Sequence, residues 1–300
     1  MNVKRVLVIY KKSTLELYSE DYRDPAFLAH VQTDSDLIAP YVAAHEDNQR
    51  TMAAVRSALD QRKVHQDWVY RARKRSTEGY DLVITIGGDG TLLDASHAVV
   101  NVPVLGINSS PRFSVGHFCG CNAESFSDAI DRILARTMPQ IALRRLEARI
   151  EGRTLPYPIL NDVLFSHHIP AAMSRYIVRA NGTSDEHKSS GLWIATAAGS
   201  TAAIHSAGGQ VMPLESTAVQ LLARELYVHN HDEHPLAHAF TDGPIELVSK
   251  MRVGALYMDG HRIKFNVAYG ERVVLSPSPN PLRLFWDPVA ARDRLPSLRR

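Results

Sequence analysis

Asp81–Ile86 (DLVITI) runs without a linker into Gly87-Gly88-Asp89-Gly90-Thr91, and Leu92–Val100 then reads as a helix. A buried strand that turns into a helix through three glycines in four positions restricts the fold sharply. Such a backbone is free to adopt positive φ and to pass close to a ligand. The amides of the turn, and those of the helix start, face outward as an anion site. Asp89 is out of place for phosphate contact alone, because its charge repels phosphate. Its presence implies a second task, either holding a metal ion or taking a proton from a hydroxyl. Thr91 is placed to hydrogen-bond phosphate or to cap the helix. The bland alternative is a tight turn in which Gly and Asp-Gly supply geometry only.

The flanking pattern extends this unit. Arg5–Tyr10 (RVLVIY) and Val64–Tyr70 read as strands, as does Val102–Ile107. Lys11 to Asp36 is polar and poorly patterned. Tyr41–Lys63 has helical spacing at Val42, Met52, Val55 and Leu59. Asn122 reads as the N-cap of a helix through Ala135, with Glu124 in its first turn. Strands alternating with helices predict an α/β domain with a Rossmann-like parallel sheet over residues 1–138. After Pro139 short strand-like runs dominate: Ile141–Ile150, Ile159–Phe165, Arg175–Ala180, Leu192–Thr196, Val253–Met258 and Arg262–Val267. Asp259-Gly260 is a hairpin signal between the last two. Helices are expected near Ser200–Ser206 and Ser216–Glu225. A β-rich domain over 139–275 follows, with a tail over 276–300 expected to pack back on the first domain.

Composition narrows the partners. With 45% hydrophobic and 22% charged residues the chain is able to bury a core. No apolar run approaches the length of a membrane span, and the six-residue run near the N-terminus is too short for a signal peptide. Neither membrane nor nucleic acid is expected as a partner at a net charge of +2. Cys119 and Cys121, one residue apart, form no disulfide framework and fit a reducing, cytoplasmic setting.

The turn is neither a Rossmann G-x-G-x-x-G nor a Walker A loop, since no third glycine or Gly-Lys-Ser/Thr follows. GGDGT resembles the signature shared by NAD kinases, diacylglycerol- and sphingosine-type lipid kinases and 6-phosphofructokinases, which transfer a phosphoryl group to a hydroxyl. Three further segments narrow the choice. Leu105-Gly106-Ile107-Asn108 closes the strand after the GGDGT helix. Asn161-Asp162 interrupts an apolar strand, ILNDVLF, and needs either a strand end or a polar contact. Ser190-Gly191-Leu192-Trp193-Ile194-Ala195-Thr196-Ala197-Ala198-Gly199-Ser200-Thr201-Ala202, followed by Ser206-Ala207-Gly208-Gly209, is similar to a strand–TxxGSTA–helix–SAGG segment. In order and spacing the four resemble the NAD kinase family.

That resemblance implies an ATP- and Mg²⁺-dependent kinase acting on the adenosine 2′-hydroxyl of NAD or NADH. It implies that Asp89 is catalytic, as base or Mg²⁺ contact. It assigns Gly87, Gly88, Gly90, Thr91 and Asn108 to ATP, and Asn161, Asp162, Ser190, Thr196, Gly199, Ser200 and Thr201 to the dinucleotide. It also implies a homodimer or larger homo-oligomer. The chain departs from the bacterial pattern at Ser190 (usually Asp), Ala203 (usually Tyr), Asp162 (usually Glu) and the SSPRFSVGHF segment after Asn108. In the form SSGL…TAAGSTAA…SAGG it looks like the plant-type branch, which resembles NADH kinases. Loss of a carboxylate at Ser190 favours neutral NADH over cationic NAD⁺. The alternatives are a lipid or sugar kinase using the same GGDGT chemistry, and a dinucleotide sensor without turnover.

Three side groups complete the reading. Arg112, Arg175 and Lys188 are candidates, by position only, for neutralising transition-state charge. Arg71–Arg75 (RARKR) is expected to be a solvated basic face rather than a phosphate contact. His229–His234 with His238 matches no common zinc spacing and reads as a polar loop.

Overall fold

The computed structural model describes residues 3–229 and 233–288. Two compact units emerge. One comprises residues up to Ile141 together with the stretch from Arg283, and the other Ala142–Leu282.

The first unit is built on a seven-stranded sheet. It contains β1 (Arg5–Tyr10), β2 (His65–Tyr70), β3 (Leu82–Gly87), β4 (Val104–Asn108), β5 (Cys119–Asn122), β6 (Gln140–Leu143) and, from the chain's end, β19 (Leu282–Phe285). The order is β2-β1-β3-β4-β19-β6, with β5 also pairing β4. The pairs β1–β2, β1–β3, β3–β4, β4–β5 and β4–β19 are parallel. Both faces of β3 are buried, as a helix-covered parallel sheet demands. The helices are α1 (Thr14–Glu16), continued by a π-turn, then α2 (Pro25–Thr33), α3 (Ser35–Gln61), α4 (Asp89–Ser96) and α5 (Phe126–Leu134). Val55 and Leu59 of α3 and Ile130 and Ile133 of α5 share one core with the sheet. Cys119 and Cys121 are buried and unbridged.

The second unit is a pair of antiparallel sheets around one core. Its strands are β7 (Leu146–Ile150), β8 (Arg153–Thr154), β9 (Asp162–His167), β10 (Ser174–Ala180), β11 (Thr183–Ser189), β12 (Gly191–Ala195), β13 (Val219–Arg224), β14 (His238–Thr241), β15 (Ile245–Ser249), β16 (Gly254–Met258), β17 (Ile263–Val267) and β18 (Arg272–Pro277). One sheet runs β11-β10-β15-β18-β7-β8 and the other β14-β13-β12-β9-β16-β17. Val178 and Leu247 from the first and Phe165 and Ile194 from the second meet in the same core. A single 3₁₀ turn (Ala198–Thr201) leads into the short α6 (Ala203–Ser206).

Several expectations are corrected. The helix after GGDGT begins at Asp89, three residues early, because Gly88 is its N-cap. Asn122 ends β5 and is not the cap; Ser125 takes that place, and the Asn122 side chain accepts from the Ser125 amide at 3.0 Å. Ile141–Ile150 is not one strand. It breaks at Arg144-Arg145, so that β6 joins the parallel sheet and β7 pairs with β18. Ser216–Glu225 is β13 rather than a helix, because Val219 and Leu221 alternate into the core between β12 and β14. Lys11 to Asp36 is largely helical, capped by Ser13, Asp24 and Asp34. Asn230, His231 and Asp232 of the His-rich loop, and the tail from residue 289, lie outside the described residues.

Candidate active site

In the first unit the strand order reverses between β1 and β3. The chain leaves β1 toward β2 on one side, and β3 and β4 lie on the other. Open parallel sheets bind ligands beyond the strands' carboxyl ends at such a reversal. Three features meet at this edge. Lys11 directly follows β1, and its amide donates to Ile86 O at 3.1 Å. Arg71 directly follows β2, and its Nη1 lies 4.0 Å from where a Gly90 Cβ would stand. β3 ends in the glycine turn. Arg71 also pairs with Asp94 of α4 at 3.5 Å. Burial, and then the Arg71 charge, hold the Lys11 ammonium below its ordinary pKa. Arg71 thus leaves the solvated basic face expected for RARKR, while Ala72, Arg73 and Lys74 stay exposed.

Gly87, Gly88 and Gly90 all avoid positive φ, contrary to expectation. Gly87 is required by crowding instead. A Cβ there would stand 2.1 Å from Thr91 Oγ1 and 2.7 Å from Thr91 Cβ, whereas one on Gly88 meets only the rotatable Ser114 Oγ, at 2.3 Å. Thr91 is buried and its hydroxyl has no partner among the described residues. Asn108 is buried and brackets the following loop. Its Oδ1 accepts from Ser110 N at 3.2 Å, and its Nδ2 donates to Ser114 O at 2.9 Å. Asp89 opens α4, and its two oxygens accept the amides of His117 (2.9 Å) and Phe118 (2.8 Å). A carboxylate has about four lone-pair sites, so two remain available. Beside it His117 is held neutral, burial lowering its pKa against the opposing pull of Asp89.

In the second unit, Asp162 and Ser190 line one cavity of about 250 Å³, together with Trp193, Arg224, Tyr257 and His261. Asn161 immediately precedes β9, so the polar pair sits at a strand end, and Asn161 Oδ1 is buried without a partner among the described residues. The pair is held by Asp259. Its carboxylate accepts the amides of Leu160 (2.9 Å), Asn161 (2.7 Å) and Asp162 (3.1 Å), and its own amide donates to Asp162 O at 2.9 Å. Asp259 stands at φ 50° and Gly260 at φ 100°, so the hairpin signal was real and also carried this clamp. Thr196 and Ser200 are fully buried and tie the chain to itself. Thr196 Oγ1 donates to Leu160 O at 2.5 Å, and Ser200 Oγ donates to Ala197 O at 2.7 Å. Gly199 is required because a Cβ there would lie 2.1 Å from Asn161 O. Thr201 ends the 3₁₀ turn, half-buried.

Burial pushes the Asp162 carboxyl up to about 7, and the nearby Asp259 charge adds to it. The native state therefore holds a proton that the unfolded chain releases near pH 4. This contribution to stability is complete below that value and is lost as pH rises through about 7. Asp162→Asn is expected to flatten that decline, a gain of roughly 2–4 kcal/mol above neutrality. Urea unfolding of both proteins across the range checks it, and parallel curves would refute it.

Residues 25–138 match the ATP-NAD kinase N-terminal domain. A rice protein named as a probable NADH kinase is 34% identical over 76% of this chain and 78% of its own length. The chain belongs to the NAD kinase family. An NADH kinase of Arabidopsis thaliana is 36% identical over 68% of this chain and 72% of its own length. An Archaeoglobus fulgidus NAD kinase solved with ATP shares the fold (TM-score 0.70, 19% identity, 98% of each chain). A yeast NADH kinase solved with NADH superimposes at TM-score 0.67, with 16% identity over 99% of this chain and 89% of that one.

As an NAD kinase family member the protein is a phosphotransferase. The cations suggested by position sort differently in the structure. Arg112 is tied to Asp47 at 2.9 Å, while Arg175 and Lys188 face each other on the exposed side of β10–β11. Lys11, Arg71, His117 and Asp259 were missed. Lys11 and Arg71 carried a local signal as cations directly after strand-like runs, and Asp259 one as the start of the Asp-Gly hairpin turn; His117 carried none.

Proposed function

We propose that the protein phosphorylates the adenosine 2′-hydroxyl of NADH in preference to NAD⁺, with ATP and Mg²⁺ as donor. In this reading the donor phosphates lie at the carboxyl edge of β1 and β3, against the α4 start, with Lys11 and Arg71 offsetting their charge. Mg²⁺ arrives with the nucleotide and supplies further charge neutralisation. Asp89 fits a contact to it, or to the acceptor hydroxyl, through the lone pairs that the two amides leave. Asp162 and Asn161 orient the acceptor ribose.

The observation that carries the substrate choice is the cavity shared by Asp162 and Ser190. Ser190 brings no carboxylate to that cavity, and Asp162, the sole carboxylate among its described lining residues, is pushed up to about 7 by burial. Such a wall offers little to hold a cationic ring and suits a neutral dihydronicotinamide. ATP-dependent formation of NADP(H) by the purified protein tests the reading. A kcat/KM at least about tenfold higher for NADH than NAD⁺, near 1.4 kcal/mol, supports it. Equal values remove the preference, and product from neither removes the kinase.

Lys11→Met tests the cation pair. It is expected to lower kcat/KM for ATP by roughly 10–100-fold, the worth of a charge-assisted contact to phosphate. Because the ammonium is already desolvated, stability is expected to hold or rise. Unchanged ATP kinetics would take Lys11 out of the site.

A further inference from the structure

The second unit holds a buried cluster that the kinase reading does not use. β11 (TSDEHKS) is a polar strand whose alternation turns Asp185, His187 and Ser189 inward. Asp185 Oδ2 lies 2.9 Å from His187 Nε2, and Asp185 Oδ1 lies 2.9 Å from His234 Nδ1. The side chains of His187, Asp185 and His234 are 0%, 4% and 13% exposed. One ligand atom from each falls within 4.8 Å of the others.

The groups around the cluster are ordered. The Tyr176 hydroxyl lies 2.9 Å from Ser189 Oγ and 3.2 Å from His187 Nδ1, and Ser189 Oγ accepts from the Gly191 amide at 3.0 Å. His234 turns Nδ1 to Asp185, and its Nε2 is buried with no partner among the described residues. That nitrogen is left to meet a ligand that brings positive charge or a donor.

We infer that Asp185, His187 and His234 form a binding site for a zinc-like divalent transition metal. Two imidazoles and one carboxylate suit zinc, with ligand bonds of about 2.0–2.2 Å, and not Mg²⁺ or Ca²⁺, which favour all-oxygen sets. The outer groups are in place. Tyr176 fixes the His187 ring through its far nitrogen, and the Leu236 amide donates to Asp185 at 3.1 Å. A cavity of about 320 Å³ adjoins, lined by His234 itself with His229, Glu233, Glu186, Lys188 and Tyr227. It offers an entry path and further nitrogen and oxygen donors. The His-rich loop thus contributes His234, but its partners come from a strand some fifty residues earlier, which is why no zinc spacing was visible.

The test uses the full chain stripped with chelator and Zn²⁺ alone as probe, with uptake measured by equilibrium dialysis and metal analysis. About one equivalent per chain is expected, undisplaced by millimolar Mg²⁺. His234→Gln, at the accessible rim, is expected to weaken binding at least about tenfold, and Tyr176→Phe, which removes only the outer hydrogen bond, by about tenfold. Absence of uptake by the folded wild-type protein overturns the site, and needs no variant. So does zinc held equally well by both variants, which places it elsewhere. A His187 ring that nuclear magnetic resonance finds doubly protonated in the presence of Zn²⁺ also overturns it, since such a ring has no lone pair for a metal.

Discussion

Asp89→Asn is expected to lower kcat by about 10²–10⁴-fold with either dinucleotide. The carboxylate stands at the first position of α4, in the turn proposed to hold the donor phosphates. An amide side chain there is no base toward a hydroxyl and brings no negative charge to Mg²⁺. The structure adds a second consequence that the motif alone did not carry. Both Asp89 oxygens accept backbone amides, from His117 and Phe118. An asparagine keeps one acceptor and sets an NH₂ against the other amide, at a cost of about 1–3 kcal/mol. The variant should therefore be active at under a hundredth of the wild-type rate and modestly less stable, yet folded by circular dichroism. Retention of more than about a tenth of kcat, roughly 1.4 kcal/mol in barrier, removes Asp89 from the chemistry and leaves it the loop clamp.

Asp259→Ala should produce the largest loss of stability, about 3–5 kcal/mol by urea unfolding. Three amides, those of Leu160, Asn161 and Asp162, lose their acceptor together. Arg145 nearby is almost fully buried. Burial lowers its pKa to about 10, and the Asp259 charge is what opposes the fall. Removing Asp259 leaves that cation without this compensation. Asp259→Asn separates the parts, keeping one acceptor oxygen and losing the charge. With that charge gone the Asp162 carboxyl should titrate lower, since Asp259 is one of its two causes of elevation. The kinetic signature of a positioning residue is a raised KM for the dinucleotide with the ATP KM unchanged. A variant of wild-type stability and KM would show that the turn before β9 holds itself.

Much of the first unit was legible because its signals are local. RVLVIY became β1 residue for residue, and DLVITI with GGDGT became a buried strand ending at a helix start. Ser13, Asp24 and Asp34 are ordinary N-cap residues, each accepting an amide three residues on, and the helices they open could have been read. β11 could not. Its inward positions are Asp185, His187 and Ser189, so the alternation that marks a half-buried strand is absent from the hydrophobic pattern. β13 failed for the opposite reason. Val219–Arg224 fits either period, and pairing with β12 and β14 chose the strand.

By itself the sequence determined the reaction class and the family, because each depends on short segments whose side chains lie within a few positions of each other, taken in order along the chain. Tertiary structure alone decided which groups reach them. Lys11 and Arg71 come to the GGDGT edge only because the strand order reverses at β1. Asp259 comes to Asn161-Asp162 from nearly a hundred residues away, because β16 pairs with β9 and ends beside its start. His234 meets Asp185 and His187 across about half that gap. Periodicity reports what a residue's neighbours in the chain are. Contacts between distant segments follow from strand pairing and packing, which no local pattern encodes.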